Sequence, residues 1–158
     1  MTVAPEKKSR ASTVQKVRAA CGVTAWLVED YAVPLVAMDF AFRGGASQDP
    51  ADKAGLAAML GGLLDEGAGE LESEAFHRAM DEKAIEISFH AERDSLGGRM
   101  QTLSKNIDRA FELLALAVNA ARLDAEPIER VRSQMVAGLK REANDPDAQS
   151  GKLWRRLA

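Results

Sequence analysis

The chain has 158 residues, of which 46% are hydrophobic and 28% charged, and its formal net charge is -3. This composition is typical of one globular α+β or α/β unit, and it excludes a polyanion binder that works through a basic surface, so nucleic acid is not an expected partner. No apolar run approaches the roughly 18 to 20 residues that span a bilayer, and the start of the chain lacks the apolar stretch of a secretory signal. The sequence as given therefore predicts a cytoplasmic protein, or a periplasmic one from which a signal has been removed.

The chain is expected to begin with a polar N-terminal arm, residues 1–21, and to continue as a domain over residues 22–158. Cys21 is the only cysteine in the sequence, so it has no disulfide partner, and a buried or inert thiol is expected. Residues 23–28 and 33–42 are rich in β-forming side chains and flank a turn-like segment. They are predicted to pair as an antiparallel hairpin.

Two helices and two strands are predicted next. Asp49 and Pro50 offer a helix start, and apolar residues then recur at helical spacing as far as Gly67. A second helix is predicted from Ser73. Residues 85–91 alternate apolar and polar side chains, which is typical of a half-buried strand, and residues 96–103 are predicted to return beside it. Gly97 and Gly98, within this return strand, indicate a bulge or turn.

The last third of the chain predicts two more helices, one capped by Asn106 and one that starts within residues 124–127 and breaks at Asp145 and Pro146. The order β-β-α-α-β-β-α-α indicates an α+β fold with helices packed on one face of a largely antiparallel sheet. Residues 153–158 read as a helix in progress. The domain is therefore expected to be incomplete, as a fragment of a longer chain.

Residues 43–69, RGGASQDPADKAGLAAMLGGLLDEGAG, resemble the most diagnostic stretch of the pitrilysin/insulinase class of zinc peptidases, the inverted zincins that include the mitochondrial processing peptidase. In active relatives a Gly-rich turn and an Asp-Pro-like pair precede a helix that begins Gly-Leu-Ala and continues into H-x-x-E-H. Residues 55–57 match Gly-Leu-Ala. The resemblance implies half of a duplicated, metallopeptidase-like architecture in which the two histidine positions fall on Ala58 and Gly62 and the catalytic glutamate position on Gly61.

The motif works because residues at i and i+4 of a helix lie one turn apart and can both present imidazole nitrogen to one metal. Alanine and glycine have no side-chain lone pair to offer. In relatives the third ligand is a glutamate that follows an E-R-x-R pattern, and residues 129–132 match the start of that pattern. The ligand position then falls on Gly138, with Glu142 one turn further on as the alternative alignment. No metal or other cofactor is therefore expected.

The glycine pair within the motif requires a physical reason, because an interior glycine costs a helix about 1 kcal/mol relative to alanine. One reason is a helix break at Gly61 and Gly62. The other is a helix that continues into the apolar Leu63 and Leu64 and packs closely against the last helix, with Gly138 facing the pair. The continuing apolar stripe favours the second interpretation.

Residues 85–104 resemble the strand that, in relatives of this class, pairs with an extended substrate peptide. The segment ISFHAERDSL keeps the Arg93 and Asp94 end of the family pattern but not its usual asparagine. Strand addition uses backbone groups and does not depend on zinc, so peptide capture could persist without cleavage. The resemblance implies that the peptide-binding residues are Ile87, Ser88, Phe89, His90 and Ala91.

By resemblance, the chain is expected to be a non-catalytic peptidase homologue that acts as the structural and substrate-holding subunit of a heteromeric metallopeptidase. Its expected partners are a catalytic, zinc-bearing subunit and unfolded peptides. Two alternatives remain at this point. One is an active zinc peptidase with ligands elsewhere, for example among His77, His90 and Glu142. The other is a pure assembly subunit, as in the respiratory-chain core proteins that resemble this class.

Overall fold

The computed structural model describes residues 13–157, apart from the side chains of Arg155 and Arg156. The first twelve residues of the predicted arm, and Ala158, lie outside the described residues. The chain divides into two compact units, one that ends at Pro34 and one that begins at Leu35. The boundary expected from the sequence was at residues 21 and 22.

The first unit contains a two-stranded antiparallel hairpin of β1 (Gln15–Arg18) and β2 (Thr24–Leu27). Its turn uses Gly22 at φ 93° and carries Cys21. Cys21 is exposed, so of the two expected states, a buried or an inert thiol, the buried one is wrong. The predicted pairing of residues 23–28 with residues 33–42 is also wrong. The partner is β1, a short strand exposed on both faces, which therefore shows no alternation of apolar and polar residues.

The second unit is built on a three-stranded sheet of β3 (Leu35–Arg43), β6 (Glu86–Ala91) and β7 (Ser95–Leu103). The strand order is β3-β7-β6, and both pairs are antiparallel. The other elements of this unit, in chain order, are α1 (Leu56–Gly61), β4 (Gly67–Ala68), β5 (Leu71–Glu72), α2 (Ser73–Asp81), α3 (Ile107–Asn119), α4 (Ala125–Ala143) and α5 (Pro146–Leu157). The predicted break at Asp145 and Pro146 is confirmed, and the small β4-β5 hairpin was not predicted.

The core lies between one face of the sheet and helices α2 and α3. Ile87 of β6 and Met100 of β7 are paired and buried, and Phe76 of α2 and Leu113 of α3 are fully buried in the same cluster. Along β6 the buried and exposed side chains alternate, as the sequence predicted. The predicted α+β class, with helices on one face of an antiparallel sheet, is confirmed.

Gly97 and Gly98 lie within β7 in regular pairing with both neighbouring strands, so the predicted bulge or turn is wrong. A Cβ atom on Gly98 would lie 2.4 Å from the ring of Phe40, and one on Gly97 would lie 2.5 Å from Nε2 of His90. Both glycines therefore make room for aromatic rings from the adjacent strands.

None of the helices within residues 13–157 is both long enough and apolar enough to cross a membrane.

Candidate functional site

Helix α1 carries the degenerate motif, and its start is held by Asp49. The two carboxylate oxygens of Asp49 accept hydrogen bonds from the backbone N–H groups of Gly55, at 2.8 Å, and Ala57, at 2.9 Å. Gly55 adopts φ 98°, a left-handed conformation that favours glycine. The Asp-Pro pair thus satisfies the helix N-terminus from a distance, and the helix begins at Leu56 instead of at Pro50 as predicted.

Helix α1 ends at Gly61, with Gly62 as its C-cap, and Leu63 and Leu64 follow as buried residues in turns. The helix break at the glycine pair is therefore confirmed, and the prediction of a helix that continues through the pair is wrong. The apolar stripe that favoured a continuing helix includes Leu63 and Leu64, but these two residues are buried from turns and do not extend the helix. Ala58 is exposed at the other end of the motif.

The two glycines face different elements. A Cβ atom on Gly61 would lie 3.5 Å from the backbone of His90 and Ala91 at the end of β6. A Cβ atom on Gly62 would lie 3.1 Å from Cγ1 of Val131 on α4. A Cβ on Gly138 meets no atom within 4 Å, so the predicted contact between Gly138 and the pair is not formed. Val131, two helical turns earlier on α4, takes that place.

The alternative zinc ligands do not come together. His77 lies on α2 and His90 on β6, while Glu142 on α4 forms an ion pair of 3.1 Å with Lys152. Within the described part of the chain, no group of three or more His, Cys, Asp or Glu side chains could hold a metal ion. The residues at the motif positions offer zinc no donor atoms, so this site does not fit the metal of the active class.

The predicted peptide-binding residues lie on β6, which pairs with β7 on one side and with no strand of residues 13–157 on the other. The N–H of Glu92 points to β7, since it donates to the carbonyl of Ser95 at 2.8 Å. Backbone groups alternate in direction along an antiparallel strand. The N–H and C=O groups of Ser88 and His90 therefore also point to β7, whereas those of Ile87, Phe89 and Ala91 point to the free edge. The five predicted residues are thus divided between the ladder and the edge.

A partly buried ion pair beside the motif was not predicted. Arg130 of α4 donates to both carboxylate oxygens of Glu66, at 2.9 and 2.6 Å, and the hydroxyl of Ser73 donates to the same carboxylate at 2.7 Å. Arg130 lowers the pKa of Glu66 against the opposing effect of burial, and the pairing raises the pKa of Arg130. Burial raises the pKa of the neighbouring Asp65. The signal for this pair in the sequence is Arg130 itself, the first arginine of the E-R-x-R pattern. The sequence analysis used that pattern only to locate the third zinc-ligand position.

The fold of the chain is similar to that of two solved structures. The chain superimposes on a peptidase M16 inactive domain from Pseudomonas fluorescens with a TM-score of 0.77, at 24% identity over 87% of this chain. It also superimposes on a protease from Helicobacter pylori with a TM-score of 0.69, at 20% identity over 86% of this chain. These two structures establish the fold.

The sequence comparison indicates the same class. The chain is 28% identical over 119 residues, 75% of its length, to a protein from Helicobacter pylori named non-peptidase homolog YmxG. No protein-family model matches the chain. The resemblance predicted from the sequence is confirmed, since the chain is similar both to a protein named as a non-peptidase homologue and to a structure described as an inactive M16 peptidase domain. It spans 28% of the length of the Helicobacter homologue and 34% and 33% of the two structures, so it corresponds to about a third of each relative.

Proposed function

We propose that this chain is a non-catalytic peptidase homologue that holds extended peptides at the free edge of β6 and serves as the structural subunit beside a zinc-bearing catalytic partner. The observation that carries the proposal is the closeness of the two parts of the site. Gly61, at the position of the catalytic glutamate, faces the backbone of His90 and Ala91 at the end of the strand with the free edge, where an added Cβ atom would lie 3.5 Å from that backbone. A peptide added to this edge would run past α1 without meeting a metal or a general base.

Backbone pairing supports a preference for extended peptides of varied sequence. Ile87 and Phe89 turn their side chains toward the core face while their N–H and C=O groups point to the edge, so an added strand is bound mainly through main-chain hydrogen bonds. Affinity then depends on the peptide backbone, and sequence preference is weak.

Calorimetric titration of the chain with a synthetic unstructured peptide tests this binding mode. The control is the same peptide N-methylated at every backbone nitrogen, which cannot donate a main-chain hydrogen bond from either edge. We expect heat from the first peptide and none from the second. Equal binding of both peptides would contradict strand addition, and no binding of either would favour the pure assembly subunit.

Hydrogen exchange locates the bound peptide. On peptide addition the amides of Phe89 and Ile87 should become protected, whereas those of Ser88 and His90, already in the β6-β7 ladder, should change little. Protection confined to other parts of the chain would place the peptide elsewhere and reject the assignment to β6.

The partner role has its own experiment. The chain is mixed with a zinc-bearing peptidase of the same class from the same source, and complex formation is followed by size-exclusion chromatography and light scattering. We expect a stable heteromer in which zinc is confined to the partner. Separate elution of the two proteins at every concentration would reject the heteromeric role and leave peptide capture to be judged by the titration.

A further inference from the structure

The ion pair between Arg130 and Glu66 joins three elements of the second unit. Arg130 belongs to α4, Glu66 lies in the turns that follow α1, and Ser73, which donates to Glu66, is the first residue of α2. The Glu66 side chain is only 12% exposed, and the guanidinium is bound by both of its oxygens, which is the directional geometry of a strong pair. These contacts fix where α1 ends relative to α4.

The end of α1 in turn contacts the end of β6. Val131, next to Arg130, packs against Gly62, and Gly61 faces the backbone nitrogen of Ala91 so closely that a Cβ atom on Gly61 would lie 3.5 Å from it. A series of neighbouring groups therefore leads from the Arg130 guanidinium to a backbone group that points to the free edge. The position of the end of α1 thus sets how much room remains beside this edge.

We propose that Arg130 is a positioning residue for the peptide-binding edge: its bidentate pair with Glu66 holds the end of α1 where Gly61 supports the end of β6. This inference rests on the proposed capture of peptides at β6.

The neighbouring Arg132 provides a matched control. It pairs with Glu129 on its own helix at 3.1 Å, and the two side chains are 64% and 65% exposed. An exposed pair of this kind contributes little to stability. Arg132→Met thus removes the same charge from the same helix and leaves the pair between Arg130 and Glu66 intact.

The experiment compares peptide affinity in Arg130→Met and Arg132→Met by the same calorimetric titration. We expect Arg130→Met to weaken binding about two- to thirtyfold, the range of ordinary coupling between packed sites, and Arg132→Met to leave it unchanged. Arg130→Lys keeps the positive charge but cannot form the bidentate pair of a guanidinium, so it should restore only part of the peptide affinity. Equal affinities for the two methionine variants would overturn the proposal.

Amide exchange distinguishes a positioning role of Arg130 from a general loss of stability. It also tests that role independently of whether the chain binds peptides. In the free protein, Arg130→Met should accelerate exchange at His90, whose N–H lies in the β6-β7 ladder at the end that faces α1, more than at Leu113 in the core, whereas a purely structural role would accelerate both alike. If the unmutated chain binds no peptide, the proposed function fails and the exchange ratio alone decides on Arg130. An unchanged ratio would reject the positioning role.

Discussion

Val131 on α4 lies so close to Gly62 at the end of α1 that a Cβ atom on Gly62 would come within 3.1 Å of its Cγ1. In active relatives, by the resemblance, this glycine position holds a histidine and the facing helix carries a glutamate. Here the two helices meet through a methyl group and a glycine. The end of α1 is thus packed directly against α4 at this position.

A double-mutant cycle tests this contact. Because Val131 crowds the Cβ position of Gly62, Gly62→Ala should be less unfavourable in a Val131→Ala background, with a coupling of about 0.5–3 kcal/mol in the free energy of unfolding. Urea denaturation of the four proteins measures it. Gly138→Ala is the control, since its Cβ meets no atom within 4 Å. That substitution should stabilise α4 by up to about 1 kcal/mol and show no coupling to Val131. Zero coupling at Gly62 would contradict the packing.

The adjacent acids Asp65 and Glu66 predict opposite responses to pH. Arg130 depresses the pKa of Glu66 below its ordinary 4.5, so its contribution to stability is present above that value and is lost as pH falls through the folded-state pKa. Glu66→Gln should therefore cost about 1.5–3 kcal/mol near neutral pH and progressively less in acid. Denaturation at a series of pH values measures the difference. A cost that does not change with pH would reject the ion pair as its source.

Asp65 should behave in the reverse sense. Burial raises its pKa above the ordinary 3.8, so the charged carboxylate destabilises the folded state once pH rises through the folded-state pKa, and this penalty is absent below 3.8. Asp65→Asn should raise the melting temperature near neutral pH and have little effect at low pH. A loss of stability at neutral pH would show that the Asp65 carboxylate makes a favourable contact.

Thr102 in β7 carries a hydroxyl with no hydrogen-bond partner among the described residues, although the residue is only 1% exposed. A buried, unpaired hydroxyl is unfavourable, so Thr102→Val, which has nearly the same shape, should stabilise the fold by about 1 kcal/mol. Thr102→Ser keeps the hydroxyl and loses a methyl group, and it should destabilise by a similar amount. Calorimetric melting distinguishes the two, and destabilisation by valine would reveal a partner for the hydroxyl.

The strands around the site could be predicted because their side chains carry the signal. Side chains of residues 85–91 alternate between the core and solvent, and this alternation predicted β6. The apolar residues that follow predicted its return strand β7. The hairpin partner of β2 could not be predicted in this way. Both strands of that hairpin are exposed on each face, so burial imposes no pattern on them.

The site itself was predicted only where it depends on residue type at fixed spacing. The degenerate motif at Ala58, Gly61 and Gly62 can be recognised from the sequence alone. The position at which α1 ends and the pair between Glu66 and Arg130 can be recognised only from the structure. The first depends on which of two readings of a glycine pair the packing selects, and the second joins residues 64 positions apart, for which spacing carries no information.

The central claim is that this chain keeps a metallopeptidase-like scaffold without a catalytic metal. It is tested most directly by elemental analysis of the purified chain after equilibration with excess zinc and gel filtration, with a fluorogenic peptide assay on the same sample. We predict far less than one zinc per chain and no chelator-sensitive cleavage. One zinc per chain, together with cleavage that a chelator abolishes, would contradict the account.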